Sequence, residues 1–220
     1  MTRLATALGK ALETVPAQGP VAVALSGGLD SWVLALLLRE RGTAVRGYTL
    51  RSDVAGYCEW PQTQALAGQF GMPLEAIRVG PGAFAEALPR FLAVTKTPIY
   101  NLHPVSKLLL AEALAQRGET MAVTGDGADQ VFRCDRDCDL FPLTQACFLH
   151  AGVRLHTPFL SAAVRALCVE PDSEKRPVRE LAALLGIPAI PKRPTLYPGG
   201  DILNETRKIL EGMACAASRG

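Results

Sequence analysis

The chain has 220 residues, of which 49% are hydrophobic and 20% charged, and a formal net charge of +2. That length suits one α/β domain or such a domain with a helical extension, and the composition is that of a globular chain with a sizeable core. The charge is too small to argue for nucleic acid or an anionic membrane, so neither is favoured as partner, and no apolar run nears the roughly 20 residues of a spanning helix.

Along the chain, Leu4, Leu8, Leu12 and Val15 share one helical face, which predicts an amphipathic helix over 2–14 packed on the sheet. Lys10 and Glu13 break the same stretch as a secretory signal, so the six cysteines are expected to be reduced thiols in the cytoplasm. A strand over 21–25 leads into a helix over 31–41. Strands over 44–50 and 74–79 flank a helix over 61–70. Helices over 83–94 and 105–116 precede a strand over 121–124. This alternation predicts a parallel sheet with right-handed crossovers, whose ligands bind at the carboxyl ends of the strands. Beyond Phe132 the pattern loosens. Residues 133–139 are short, charged and cysteine-bearing, and helical pieces are predicted over 160–169, 178–185 and 202–214. Between the last two lies a stretch with Pro188, Pro191, Pro194 and Pro198, ending Gly199-Gly200.

Two segments carry chemistry, and both fall at the carboxyl edge of the predicted sheet. The first is Ser26-Gly27-Gly28-Leu29-Asp30-Ser31. Two glycines let the backbone turn tightly against an anion, and the following helix aims free N–H groups at the same point. Ser26 and Ser31 add hydroxyl donors. Asp30 disfavours a bare phosphate and suits a cation that phosphates share. The segment is neither a Walker loop nor Gly-x-Gly-x-x-Gly. The plain alternative is a strand-to-helix turn with a polar cap. The second segment is Thr124-Gly125-Asp126-Gly127-Ala128-Asp129-Gln130. With Asp30, its two carboxylates are placed to bind Mg²⁺ across a triphosphate; the alternative is a capped turn with solvated acids.

At these residues the chain resembles a known family. Ser26–Ser31 is similar to the pyrophosphate loop (PP-loop) of the N-type ATP pyrophosphatases. Gly125-Asp126-Gly127-Ala128-Asp129-Gln130-Val131-Phe132 resembles the Gly-Glu-Gly-Ser/Ala-Asp-Glu-Leu/Val-Phe motif of the synthetase domain of asparagine synthetase and its relative β-lactam synthetase. Thr97-Pro98-Ile99-Tyr100, His156-Thr157-Pro158-Phe159-Leu160-Ser161, Lys175-Arg176-Pro177-Val178-Arg179-Glu180 and Leu185-Gly186-Ile187-Pro188 with Ile190 and Arg193 follow that family in order. The resemblance implies a doubly wound parallel sheet of the adenine nucleotide alpha hydrolase-like (HUP) kind. It divides the chain into a PP-loop core over 1–132 and a shortened helical closing region over 133–220. It implies that Ser26, Gly27, Gly28, Asp30, Ser31 and Gly125 hold the pyrophosphate of ATP, and that Asp30 and Asp129 hold Mg²⁺. Asp126 stands where the family has a glutamate near the reacting centre. Lys175 stands where the family has a lysine that offsets charge in adenylation and amide formation; a solvated lysine before a helix is the alternative.

The implied reaction is ATP-dependent carbon–nitrogen ligation through an acyl-adenylate, with release of AMP and pyrophosphate (PPi). The substrate is expected to be a small-molecule or peptide carboxylate. Thr2 follows Met1, so the family's glutaminase cysteine is missing and the amine or ammonia is expected from solution, a separate glutaminase or another partner. Asp126 for Glu, Gln130 for Glu, His156 for Arg and Ser161 for Asp make asparagine a doubtful product. Little chain lies between Phe132 and Thr157, so a homodimer or hetero-complex is expected to complete the substrate walls.

Cys134, Cys138 and Cys147, with His150 and His156 behind them, raise a further reading: a Zn²⁺ or Fe–S site in an ATP-dependent sulfur transferase. The alternative is buried free thiols. A degenerate nucleotide-binding partner subunit is the non-enzymatic reading. Cys58, Cys168 and Cys215 read as packing or surface thiols, and His103 as a loop or cap residue.

Overall fold

A computed structural model describes residues 2–16, 19–52, 58–80, 82–133, 141–168, 170–190 and 201–217. Cys134, Cys138, Arg193 and the prolines from Pro191 to Pro198 lie outside the described residues.

The first helix, α1 (Arg3–Leu12), is capped by Thr2, whose hydroxyl accepts from the Ala5 amide at 3.1 Å, and it buries Leu4, Leu8 and Leu12. Then follow β1 (Val21–Ala24), α2 (Leu29–Glu40), β2 (Val45–Ser52), α3 (Trp60–Phe70), β3 (Leu74–Val79), α4 (Ala83–Thr95), α5 (His103–Gln116) and β4 (Met121–Val123). A short α6 (Ala128–Phe132) follows β4, then α7 (Phe141–His150), β5 (Arg154–His156), a 3₁₀ turn over Pro158–Leu160, α8 (Ala162–Arg165), α9 (Arg176–Leu184) and α10 (Ile202–Ala217).

The five strands form one parallel sheet in the order β3-β2-β1-β4-β5. Alternation along β1 explains the two layers. Val21 and Val23 join a core with α1, α2, α3 and α9, whereas Ala22 joins a second core with α4, α5, α7 and α10. A strand covered on both faces must be apolar on both. The fold is therefore a doubly wound α/β sheet. Its connections reverse direction between β1 and β4, where a ligand crevice is expected.

The late region differs from its sequence pattern. The sheet does not stop at Phe132, because β5 pairs with β4 through Val123 and His156. Three residues carry too weak an alternation to reveal this strand. Helix α7 was also invisible to periodicity, since its exposed and buried residues include apolar ones on both sides: Leu149 is 79% exposed while Phe148 is fully buried. The single helix expected over 160–169 is a 3₁₀ turn followed by α8, because Ser161 takes extended backbone and caps α8 by accepting from the Val164 amide. Helix α10 is fastened by Thr206, whose buried hydroxyl accepts from the Ile99 amide and lies 3.2 Å from the Ile99 carbonyl.

Helix α1 is thus part of the core. Replacing the fully buried Leu8 with alanine is expected to lower unfolding free energy by about 2–5 kcal/mol, measured by urea denaturation. A change within ~0.5 kcal/mol would mean that α1 is not docked.

Candidate active site

The Ser26–Ser31 turn is held from inside. Gly28 is the N-cap of α2, with no side-chain cap bond, so the helix begins two residues earlier than its sequence suggests and Asp30 falls in its first turn. The Ser31 hydroxyl accepts from the Ser26 amide at 3.1 Å, and the Ser26 hydroxyl accepts from the Gly28 amide at 3.2 Å. Beneath the turn, the indole N–H of the fully buried Trp32 donates to the Ser26 carbonyl at 2.9 Å. From the side, Glu59 accepts from the Gly27 amide at 3.0 Å and Gln62 donates to the Gly27 carbonyl at 2.8 Å. The uncapped start of α2 leaves its first N–H groups to an anion.

The second motif lies directly against this turn. A Cβ at Gly125 would stand 2.9 Å from the Ser31 amide nitrogen and 3.0 Å from the Asp30 Cβ, so glycine is required for the two loops to meet. Gly127 adopts φ +98, and a Cβ there would stand 2.5 Å from Leu160 Cγ. This left-handed turn sends the chain into α6 and sets Asp129 in its first turn.

Lys175 joins the two motifs. Its Nζ lies 2.9 and 2.7 Å from the Asp30 carboxylate oxygens and 3.3 Å from Asp129 Oδ1. Burial pushes the Asp30 carboxyl above its usual range, and the Lys175 ammonium opposes that push. Lys175 itself has φ 51, ψ 47, a left-handed conformation that costs a residue with a Cβ on the order of 1 kcal/mol. Asp172 supports that turn. Its carboxylate accepts from the Glu174 and Arg176 amides at 3.0 and 2.7 Å, and its own amide donates to the Phe132 carbonyl at 2.7 Å. The Arg176 amide, aided by burial-opposing bonds from Glu174 and the Arg176 side chain, holds the Asp172 carboxyl below its usual range.

Asp126 has a different partner. Lys107 Nζ, on α5, lies 2.8 and 3.1 Å from its two oxygens, and the Thr124 hydroxyl donates to it at 2.8 Å. Burial alone would raise this carboxyl. The attraction of Lys107 and the hydrogen bonds from Lys107 and Thr124 outweigh burial and hold it below the usual range. One turn before Lys107, burial and then the Lys107 charge push the His103 imidazole down to about 4.

The structure thus gathers Ser26, Gly27, Gly28, Asp30, Ser31, Gly125, Asp126, Asp129 and Lys175 at the carboxyl ends of β1 and β4. It does not bring Cys147 there. That residue is fully buried among the apolar side chains of α4, α5 and α7, and burial pushes its thiol up to about 12. His150 is exposed, and His156 Nε2–H donates to the Ala11 carbonyl at 3.0 Å. Lys107, Glu59 and Gln62 were not foreseen. No spacing rule links them to the motifs; only the folded contacts do, Glu59 and Gln62 on Gly27 and Lys107 on Asp126. Among the described residues no group of three or more His, Cys, Asp and Glu converges as a metal site.

The chain matches the family model "Asparagine synthase" over residues 3–189. It belongs to the asparagine synthase family. Members of this family share the PP-loop core with other ATP pyrophosphatases, and similarity to those is also found. The chain is 31% identical over 194 residues to the tRNA-specific 2-thiouridylase MnmA of Paraburkholderia phymatum, covering 79% of this chain and 48% of that protein. It is 30% identical over 194 residues to the MnmA of Ralstonia pickettii, covering 79% and 50%. It therefore spans about half the length of these relatives. Among solved structures, the U34-tRNA thiolase NcsA of Methanococcus maripaludis, determined with its 4Fe–4S cluster, shares the fold with a TM-score of 0.53 at 17% identity, covering 96% of this chain and 72% of that one.

Two measurements test the geometry. Gly125→Ala is expected to weaken Mg–ATP binding on the order of tenfold or more, read by titration calorimetry, because the turn must shift to admit the methyl group. His103 is neutral when folded and has a pKa of 6.5 in the unfolded chain. The unfolded state therefore binds the extra proton below that value. The contribution of neutral His103 is complete above pH 6.5 and disappears as pH falls toward 4. His103→Gln is expected to flatten the pH dependence of the unfolding midpoint in that window; curves of equal slope would refute the assignment.

Proposed function

We propose that this chain is an ATP-dependent adenylating enzyme that splits ATP between its α and β phosphates. The observation that carries the reading is the Lys175 ammonium lying between Asp30 and Asp129, at the mouth of a turn built for an anion. Two carboxylates that share one cation suit Mg²⁺, with coordination positions left for phosphate oxygens and water. Asp30 and Asp129 would hold the ion, which when bound supplies charge neutralisation for the pyrophosphate leaving group. Phosphate binding draws Lys175 from the carboxylates toward the transferring groups, where an ammonium in a site with little water offsets anionic charge. Ser26, Ser31 and the start of α2 hold the departing PPi. Asp126, pinned and ionised by Lys107, lies on the acceptor side.

For the acceptor, the relatives support sulfur transfer to a tRNA base. A base carbonyl oxygen attacks the α-phosphorus and PPi departs. A sulfide sulfur then attacks the activated carbon, AMP leaves with the original oxygen, and loss of the sulfur's proton gives the thiocarbonyl. The sulfur comes from a separate donor. Cys147 is buried among apolar side chains and burial pushes its thiol up, which disfavours it as a cluster ligand. The expectation of no nucleic-acid partner gives way in this reading, which rests on the thiouridylase relatives rather than on net charge. The second reading is carbon–nitrogen ligation on a carboxylate, favoured by the family model and by the Asp126 and Lys175 positions that follow it.

The test is PPi release with two sets of acceptors: unmodified bulk tRNA with sulfide, and carboxylic acids with ammonia or amines. Release is expected with the tRNA arm, and Asp30→Ala or Lys175→Ala is expected to lower it at least ~100-fold. Release with the carboxylate arm alone selects the ligase reading. PPi release that survives both substitutions would falsify the site.

A further inference from the structure

Glycine gives a phosphate-binding turn its close approach but leaves it without stiffness, because both dihedrals at a glycine are soft. Gly27 is the joint at which this turn leaves β1. Its two flanking peptide groups are each gripped by a side chain from the first turn of α3. The Glu59 carboxylate accepts from the Gly27 N–H at 3.0 Å, fixing the peptide unit before it, and the Gln62 amide donates to the Gly27 carbonyl at 2.8 Å, fixing the unit after it. The Glu59 side chain also lies flat on the glycine, for a Cβ at 27 would stand 3.3–3.5 Å from its Cβ, Cγ and Cδ.

The gripping residues are themselves anchored. The Glu59 carbonyl accepts from both the amide and the hydroxyl of Thr63, at 3.0 and 2.9 Å, and Thr63 is fully buried. Next to Glu59, the Trp60 ring is covered by the Arg51 guanidinium at 5.6 Å. A carboxylate beside an anion site is unfavourable unless it does something else. Here it holds the Gly27 N–H and leaves the uncapped start of α2 open to an anion.

We propose that Glu59 and Gln62 are positioning residues that set the pyrophosphate turn by clamping both peptide units of Gly27. The proposal rests on the reading of that turn as a pyrophosphate cradle. It contrasts with one in which Glu59 merely occupies the place of a phosphate, and the two make opposite predictions.

The test uses the full chain, Mg²⁺ and inorganic pyrophosphate in calorimetry, together with hydrogen exchange at the Gly27 amide. Glu59→Ala is expected to weaken pyrophosphate binding about fivefold to tenfold, the scale of one lost hydrogen bond, and to speed exchange at Gly27. Glu59→Gln keeps an acceptor and is expected to hold both near wild type. Gln62→Glu loses the donor and sets a carboxylate against the carbonyl, so it is expected to weaken binding like Glu59→Ala. A structural role alone would change the melting temperature without this contrast between the two isosteric variants. Binding by Glu59→Ala as tight as wild type or tighter would overturn the proposal. If Glu59→Ala does not fold, equal affinities for Glu59→Gln and Gln62→Glu would overturn it instead. If the wild type binds no pyrophosphate, the cradle reading fails, and Gly27 exchange in Glu59→Gln against Gln62→Glu still decides whether the clamp exists.

Discussion

Three carboxylates crowd one edge of this sheet, and the site exists because two lysines from distant parts of the chain hold them there. Asp30 ends the first strand's turn, and Asp126 and Asp129 follow the fourth strand. Burial first, and then the charges of Asp129 and Asp126, favour a proton on Asp30, and Lys175 opposes that push. Lys175 spans Asp30 and Asp129, and Lys107 holds Asp126. Each pair is partly buried, so removing one member would strand a charge of the opposite sign. The edge is therefore charged, compact and dependent on cations.

Much of this was legible in the sequence because it is local. The two motifs are short and contiguous, and the strand-helix alternation around them is regular. β3 was placed as it occurs, and α3, α4 and α5 to within a residue or two. What escaped was set by long-range packing. β5 is three residues long and has no pattern of its own; it is a strand because β4 offers it an edge. α7 has apolar residues around its circumference and so lacks a helical stripe. Lys107 sits a turn into an apolar helix and reads as an ordinary solvated charge until the fold brings it to Asp126. Glu59 and Gln62 read the same way until the fold brings them to Gly27. Cys147 shows the converse: a plausible ligand on paper whose neighbours turn out to be Phe148 and other apolar groups of the second core.

The region beyond Phe132 is more integrated than its composition suggests. It contributes an edge strand, the turn that presents Lys175, and two helices that pack on opposite faces of the sheet through Val178 and Ile202. Asp172 ties the Lys175 turn back to the end of α6. The late segments thus reach the same sheet edge as the first two motifs, through the Lys175 bonds to Asp30 and Asp129.

The contact between Gly127 and Leu160 has an evolutionary corollary. The leucine fills the volume that any side chain at 127 would claim, and it belongs to the segment that departs from the family at His156 and Ser161. A residue at 127 would meet both the leucine and a left-handed backbone that suits glycine, so no change at 160 by itself admits another residue there. In descendants of this sequence Gly127 should therefore stay fixed even where residue 160 shrinks.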